Sequence, residues 1–234
     1  MEGIMYQKLQ ENDVRHWWYR GRRAIIDSLI TSKVKLPAHA AILDAGCGYG
    51  GNVPMLKKYG RVSAMDIDWE VIKNIDADEK IVASIPDTLK NKYDLILLTD
   101  VLEHIEDDVS ASRWIQNTLK PGGYAILTVP ALKILWSRMD DEVGHVRRYT
   151  KKTLLELFEN NINVAYCSYY NFFLFPVKFL SKAQSVNHMT YEKLGLIGTI
   201  FLTVMKFEAF VLRFITFPIG IALILIIQNN KEYQ

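Results

Sequence analysis

A glycine-rich turn between an apolar segment and a helical segment constrains the fold of this chain more than any other feature. Residues 40–43 are apolar and lead into Asp44, four glycines follow within residues 46–51, and residues 52–59 have the composition of a helix. Glycines at a strand-to-helix turn allow positive φ angles and close approach by a ligand. The helix N-terminus behind them offers unpaired N–H groups and a partial positive charge. The segment therefore predicts a small anionic or zwitterionic cofactor over the turn.

Two cofactor classes fit this turn. Gly46, Gly48 and Gly51 satisfy the Gly-x-Gly-x-x-Gly fingerprint of dinucleotide-binding domains, and Asp66 follows Gly46 by 20 residues, as that fingerprint requires. The same glycines also suit a tight turn that binds nothing. Asp44 separates the alternatives, because Asp-x-Gly-x-Gly resembles motif I of the class I S-adenosylmethionine (SAM) methyltransferases.

Three later segments resemble the same family in the same order. Residues 62–66 resemble its second strand and end in an acid, residues 93–104 resemble its fourth strand and the loop after it, and residues 119–130 resemble its turn and fifth strand. The resemblance covers about residues 13–160 and is closest to a bacterial subgroup that acts on small molecules. Four ordered motifs are much more specific than one glycine turn.

The resemblance and the pattern of elements predict an α/β fold of the Rossmann-like, class I methyltransferase type. Strands that alternate with helices indicate a parallel sheet with right-handed crossovers. We expect seven strands, mostly parallel, with an antiparallel last strand. Within a single domain we predict an N-terminal helical cap (1–32), a SAM-binding core (40–170), a helical insertion or lid (172–216) and the final strand (217–229).

An apolar run near the C-terminus allows a second interpretation. Phe214–Ile227 contains Thr216 as its only polar residue. A membrane-spanning helix needs about 20 apolar residues, whereas a strand buried on both faces is a shorter continuous apolar run. Pro218 and Gly220 also disfavour a helix, so we predict a buried strand over residues 219–227.

Composition narrows the class of protein further. A net charge of +2 gives no electrostatic case for nucleic acid as a partner. The two cysteines, Cys47 and Cys167, are too few for a disulfide framework, and the N-terminus is polar without the pattern of a signal peptide. We therefore expect a cytoplasmic protein in a reducing compartment, for which membrane association is possible but not favoured. The oligomeric state is left open.

The family resemblance implies a set of cofactor contacts. Asp66 would bind both ribose hydroxyls, Ile67 and Met65 would flank the adenine, and Ser84 would lie at the adenine edge. Arg23 would meet the SAM carboxylate beside Trp18 or Tyr19. The complete predicted cofactor set is Trp18, Arg23, Asp44, Gly46, Cys47, Gly48, Asp66, Ile67, Ser84 and Asp100.

Two segments offer candidates for catalysis and for acceptor binding. His104 follows strand four, and a histidine is a suitable general base because its ordinary pKa lies near neutrality. The loop after strand five carries His145 and Tyr149 as further catalytic candidates, and its adjacent Arg147 and Arg148 are suited to an anionic acceptor. The histidines and acids lack a compact ligand spacing such as His-Glu-x-x-His, so no metal is predicted.

The sequence thus predicts a SAM-dependent methyltransferase that acts on a small, anionic or amphiphilic acceptor. One alternative is an NAD-type oxidoreductase that uses the same glycine turn. The other is a non-catalytic, membrane-associated or scaffold protein that uses the apolar stretch at 194–227. The identity of the acceptor, and whether oxygen, nitrogen or carbon is methylated, stays open.

Overall fold

The fold is built on one seven-stranded sheet. The computed structural model describes residues 14–158, 162–183 and 195–230. The strands are β1 (Ala40–Ala45), β2 (Gly60–Asp66), β3 (Glu79–Val82), β4 (Tyr93–Thr99), β5 (Leu119–Pro130), β6 (Ile162–Tyr170) and β7 (Ala222–Asn229). Their order across the sheet is β3-β2-β1-β4-β5-β7-β6. β7 is antiparallel to both of its neighbours, while the other neighbouring pairs are parallel.

Helices cover this sheet and connect its strands. Within the described ranges they are α1 (Trp17–Lys33), α2 (Val53–Leu56), α3 (Trp69–Ile72), α4 (Asp108–Thr118), α5 (Arg138–Glu142), α6 (Lys151–Leu155), α7 (Phe175–Ala183) and α8 (Gly195–Val211). Short 3-10 turns lie at Leu102–His104 and Lys133–Leu135. The predicted fold class, a mostly parallel seven-stranded sheet with an antiparallel last strand, is confirmed.

β7 occupies the interior of the sheet. Residues 222–227 are fully or almost fully buried, and the strand pairs with β5 on one side and β6 on the other. The apolar run is therefore a core strand, as predicted. Across the described residues, every helix is too short or too polar to span a bilayer. β7 begins at Ala222, three residues later than predicted. Just before it, Gly220 packs so closely on β6 that a Cβ there would lie 2.3 Å from the Tyr170 carbonyl oxygen.

The helices after β1 and β2 are short. The helix expected over residues 52–59 is α2, with only four residues, and α3 likewise has four. After α2, the N–H groups of Lys58 and Tyr59 bond to carbonyls three residues back, which tightens the chain into a turn before β2.

α1 is held against the sheet by the helical insertion. It packs along α8, where the Ser28 hydroxyl donates to the Ala209 carbonyl oxygen at 2.7 Å and the Trp17 and Phe201 rings are 5.0 Å apart. The first 13 residues of the predicted cap and residues 184–194 of the predicted insertion lie outside the described residues. Arg22 of α1 forms an ion pair with Asp100 directly after β4, so α1 reaches the carboxyl ends of the central strands, where ligands bind in sheets of this kind.

Candidate functional site

The glycine turn after β1 has the backbone geometry that the sequence predicted. Gly46, Gly48 and Gly50 have φ angles of +69°, +52° and +76°, which side chains other than glycine rarely adopt. A Cβ at Gly46 or Gly50 would overlap a neighbouring side chain, whereas a Cβ at Gly48 would meet nothing within 4 Å. Gly48 therefore presents open backbone on the ligand side of the turn, in space that a side chain there would fill.

Hydrogen bonds fix this turn to the second strand. The N–H groups of Gly46 and Cys47 donate to the Met65 carbonyl oxygen at 2.8 and 2.9 Å. The Cys47 side chain is buried, and its Sγ lies 3.6 Å from the Gly48 carbonyl oxygen. Cys47 therefore contributes backbone geometry and a small side chain to the turn.

Asp66 closes the turn from the end of β2. Its Oδ2 accepts from the Gly48 N–H at 3.0 Å and its Oδ1 accepts from the Ile67 N–H at 2.8 Å. Of the two residues expected to flank an adenine, Ile67 is 72% exposed beside the turn, whereas Met65 is buried in the core. Ser84 is exposed after β3, and both its N–H and its hydroxyl are bonded to the Asp87 carboxylate.

A buried polar cluster lies beneath the turn. Asp44 is fully buried at the end of β1, and the Asn52 amide nitrogen lies 3.3 Å from its Oδ1 and 3.1 Å from the Thr99 hydroxyl oxygen. Asn52 thus connects β1, β4 and the start of α2. Sequence reasoning missed Asn52, although an amide side chain at the start of a helix behind a glycine turn is a recognisable signal.

Arg22, not the predicted Arg23, points into the site. Arg22 is buried and forms an ion pair with Asp100, and its guanidinium lies 5.2 Å from the centre of the Tyr19 ring. Arg23 instead donates to the Val14 carbonyl oxygen on the outer side of α1. The apolar stripe of α1 could have identified the inward arginine, since the buried positions on this helix are 21, 22, 25, 26, 29 and 30.

Asp100 lies in a strained turn directly after β4. Its φ angle is +55°, its N–H donates to the Thr128 carbonyl oxygen at 3.0 Å, and its Oδ1 accepts from the Thr128 hydroxyl at 2.9 Å. A non-glycine residue in this conformation is costly and is characteristic of functional sites. β4, β5 and α1 therefore place one acid and one arginine together at the carboxyl edge of the sheet.

Tyr170 and Asn171, at the end of β6, were missed by sequence reasoning. Tyr170 is fully buried, burial and the nearby Asp100 carboxylate raise its pKa, and its ring lies 6.5 Å from that of Trp18. Asn171 is buried with a φ angle of +59°, and neither its Oδ1 nor its Nδ2 has a hydrogen-bond partner. Buried amides normally have partners, so Asn171 offers a donor and an acceptor to a bound molecule.

His104, His145 and Glu103 form a compact group beside this edge. The two imidazole rings are 4.8 Å apart, and His145 Nε2 lies 3.8 Å from Glu103 Oε1. Burial and the neighbouring His145 lower the pKa of His104, so its ring is neutral at pH 7. Burial and the Asp100 carboxylate raise the pKa of Glu103 well above its ordinary value.

The two arginines in the loop after β5 have a different role from the predicted one, because carboxylates of the protein already bind them. Arg148 forms a two-point ion pair with Asp140, with Nε to Oδ1 at 2.7 Å and Nη2 to Oδ2 at 3.0 Å. Arg147 pairs with Asp108 and donates to the Glu106 carbonyl oxygen. The positive charge that was expected to bind an anionic acceptor is therefore neutralised by carboxylates of the protein itself.

Tyr149 is likewise part of the fold. It is buried, and its hydroxyl donates to Asp108 Oδ2 at 2.9 Å. Burial and the hydrogen bond to Asp108 raise its pKa, which makes it a poor proton donor or acceptor near neutral pH. The structure thus gathers the glycine turn, Asp44, Asp66 and Asp100 at one edge, with His104 and His145 nearby, and uses Arg147, Arg148 and Tyr149 to shape the loop.

Comparisons with known proteins point to one family. A family model described as "Methyltransferase domain" matches residues 15–161. A curated ubiquinone biosynthesis O-methyltransferase from Xanthomonas campestris pv. campestris is 27% identical over 111 residues, which cover 42% of this chain. The match spans slightly less than half of that relative, 46% of its length.

Solved structures show the same fold at low sequence identity. A complex between the Haloferax volcanii Trm112 methyltransferase activator and a methyltransferase contains a chain with a TM-score of 0.62, 15% identity and coverage of 95% of this chain and 93% of its own. The plantazolicin methyltransferase BpumL in complex with S-adenosylhomocysteine (SAH) has a TM-score of 0.61 and 14% identity, with coverage of 98% and 91%. The N-methyltransferase NodS from Bradyrhizobium japonicum in complex with SAH has a TM-score of 0.58 and 13% identity, with coverage of 97% and 98%.

Proposed function

The chain belongs to the methyltransferase-domain family, and from this membership we propose that it is a SAM-dependent enzyme that methylates a small molecule. One observation carries the proposal: Gly48 is open on the ligand side of its turn, with the Asp66 carboxylate 3.0 Å from its N–H. A carboxylate at this position can accept hydrogen bonds from two vicinal ribose hydroxyls. The open turn beside it leaves room for the rest of a nucleoside.

The Arg22–Asp100 pair suits the other end of the cofactor. The amino-acid end of SAM carries one ammonium and one carboxylate, and this ion pair offers one group of each opposite charge. When bound, SAM supplies a methyl group on a positively charged sulfonium. The chain's own contribution is then to hold that end and the acceptor in line, and such positioning is worth about 7–11 kcal/mol of a reaction barrier.

The sheet order favours this assignment over the NAD-type alternative. Dinucleotide-binding domains of the doubly wound type have strand order 3-2-1-4-5-6 in a parallel sheet. Here β7 is inserted antiparallel between β5 and β6. Because a fold alone does not determine a function, the distinction needs a binding measurement.

Titration calorimetry with SAM, SAH and NAD tests the cofactor directly. We expect SAM and SAH to bind and NAD not to bind. Asp66→Ala loses about 2–4 kcal/mol of SAM binding, because the charged acceptor of two buried hydroxyls is removed. The matched control is Asp76→Ala, since the Asp76 side chain is 96% exposed and pairs with Lys57 outside the site. Equal SAM affinity in wild type and Asp66→Ala would contradict the placement.

The acceptor that we propose is amphiphilic rather than anionic. The helical insertion exposes one apolar stripe along α8 and the residues after it, formed by Leu196, Ile200, Phe207, Phe210 and Phe214. These positions recur at helical spacing and lie on one side. The exposed charged residues within 195–217 are Lys206 and Arg213, both basic. An apolar surface with a basic flank is suited to a bilayer surface, and an enzyme held there would meet a lipid-like acceptor.

Incubation with radiolabelled SAM tests the acceptor class. Lipid and aqueous metabolite fractions of a bacterial extract serve as the two acceptor pools, and we expect the label in the lipid fraction. The double variant Phe207→Ser/Phe210→Ser reduces this transfer while SAM binding is unchanged, because both side chains are exposed on α8. Transfer to the aqueous fraction alone would assign a polar acceptor instead.

A further inference from the structure

Three side chains with metal-ligating atoms converge beside the end of β4. Glu103 and His104 belong to the 3-10 turn after this strand, and His145 lies in the loop after α5. One ligand atom from each residue lies within 4.8 Å of the other two. The two histidines are 41 residues apart in sequence, so a search for short motifs does not find the group.

Both imidazole rings are oriented by acceptors behind them. His145 Nδ1 lies 2.8 Å from Asp140 Oδ1, and His104 Nδ1 lies 3.2 Å from the Gly144 carbonyl oxygen. Carboxylate and carbonyl oxygens accept but do not donate, so Nδ1 carries the proton whenever either ring is neutral. Each Nε2 then has a free lone pair. Metal-ligating histidines are held in this way, with Nδ1–H bonded to a carboxylate or a backbone carbonyl.

Glu103 adds a buried carboxylate to the two nitrogens. Its side chain has no exposed surface, and neither oxygen has a hydrogen-bond partner. A buried polar group without a partner is costly and calls for an explanation. Two imidazole lone pairs and one buried carboxyl group, whose proton a metal ion would displace, are a set of ligands that a cation would satisfy.

We propose that Glu103, His104 and His145 bind a divalent transition-metal ion of the Zn²⁺ class. Two imidazoles and one carboxylate are ligands that Zn²⁺ and similar ions accept, whereas Mg²⁺ and Ca²⁺ prefer oxygen alone. At metal–ligand distances of about 2.0–2.2 Å, ligand atoms around such an ion are about 3.0–3.5 Å apart. Small side-chain rotations bring the three atoms from within 4.8 Å to that spacing. Asp140 then acts as the outer carboxylate that orients His145.

The bound ion would have a defined place next to the reaction. Three protein ligands leave at least one coordination position for water or for an oxygen of the acceptor. An acceptor hydroxyl bound there would lose its proton more readily; this step alone rests on the proposed methyl transfer. An ion on His104 Nε2 occupies the lone pair that a general base would need, so the two roles of His104 exclude each other.

Titration of metal-free protein with Co²⁺ tests the site without SAM or acceptor, so its result is independent of the proposed function. The full chain is dialysed against a chelator, the chelator is removed, and visible absorption is followed as Co²⁺ is added. We expect one Co²⁺ per chain, displaced by Zn²⁺. Glu103→Gln and His145→Ala lower the affinity at least as much as Asp140→Asn, which removes the carboxylate that orients His145 and for which about 10–100-fold is expected. The control is His39→Asn, at an exposed histidine before β1.

Thermal melting separates a metal ligand from a structural acid. Glu103→Gln replaces a buried carboxyl group that has no hydrogen-bond partner at almost constant shape, so the metal-free variant melts close to the wild-type temperature. Added Zn²⁺ raises the melting temperature of the wild type but not of Glu103→Gln. The proposal is overturned if the wild type binds no Co²⁺, or if Glu103→Gln binds it as tightly as the wild type. It is also overturned if Zn²⁺ leaves wild-type melting unchanged, the result expected when a proton bridges Glu103 and His145.

Discussion

Replacing Arg148 by alanine should destabilise the fold before it affects any acceptor. The Arg148 and Asp140 side chains are 7% and 1% exposed, and two hydrogen bonds join them. Burial opposes ionisation of Asp140, but bonds from Arg148 and His145 outweigh it and lower the Asp140 pKa from 3.8 to about 2. At 1.36 kcal/mol per pKa unit, this shift corresponds to about 2.5 kcal/mol. Breaking a buried ion pair typically costs about 3–5 kcal/mol.

Because Asp140 keeps bonds from Ser137 and His145, the lower end of that range applies, and we expect Arg148→Ala to lose about 3 kcal/mol. Urea unfolding measures this loss. Asp140 has a depressed pKa in the folded state, so its stabilisation is present above pH 4 and is lost as pH falls toward 2. The difference between wild type and variant should therefore be constant from pH 8 to about pH 5 and shrink below pH 4.

The matched control is Arg138→Ala. The Arg138 side chain is 85% exposed and pairs with Glu142, so its removal should cost at most about 0.5 kcal/mol. If Arg148→Ala unfolds at the wild-type urea concentration yet loses turnover, the structural reasoning is refuted. Arg148 would then bind the acceptor, as the sequence predicted.

Three further substitutions test the packing. Gly50→Ala should lower the free energy of unfolding by about 2–5 kcal/mol, because its φ is +76° and the new Cβ would lie 2.6 Å from a side-chain carbon. The control Gly122→Ala, at a φ of +74° with no neighbouring atom within 4 Å, should lose only the part due to backbone strain. Equal losses in the two variants would show that the overlap contributes nothing. Leu223→Asp should prevent folding, since β7 is buried on both faces. The control Val164→Asp, at a position that is 43% exposed, should be tolerated. A soluble Leu223→Asp variant with an unchanged melting temperature would exclude the buried strand. Burial raises the Glu208 pKa, so the stability that this group contributes falls as pH rises above about 4.3, and Glu208→Gln should gain on the wild type over that rise in urea unfolding; a constant difference would contradict this.

The parts of the fold that the sequence predicted well share one physical basis. The glycine turn, the acids at strand ends and the buried β7 each depend on a local pattern: positive φ, a polar residue closing an apolar run, or continuous apolarity. Such patterns act over a few residues and do not require knowledge of partners elsewhere. α2 was predicted too long, because the residue types of Lys58 and Tyr59 do not indicate the i→i+3 hydrogen bonds that end this helix.

The roles of charged side chains could not be predicted from the sequence, because each role depends on the groups that the fold places opposite that side chain. On a helix, neighbouring residues point about 100° apart, so Arg22 reaches Asp100 while Arg23 bonds to Val14 on the outer side. Arginine is a residue type that binds anions, but Asp140, eight residues earlier in the sequence, already neutralises the charge of Arg148. The role of a cation therefore depends on which carboxylate the fold places against it. Glu103 is the opposite case: a buried acid beside two oriented imidazoles, which the chain itself leaves without a hydrogen-bond donor, and it is there that we expect an external cation to bind.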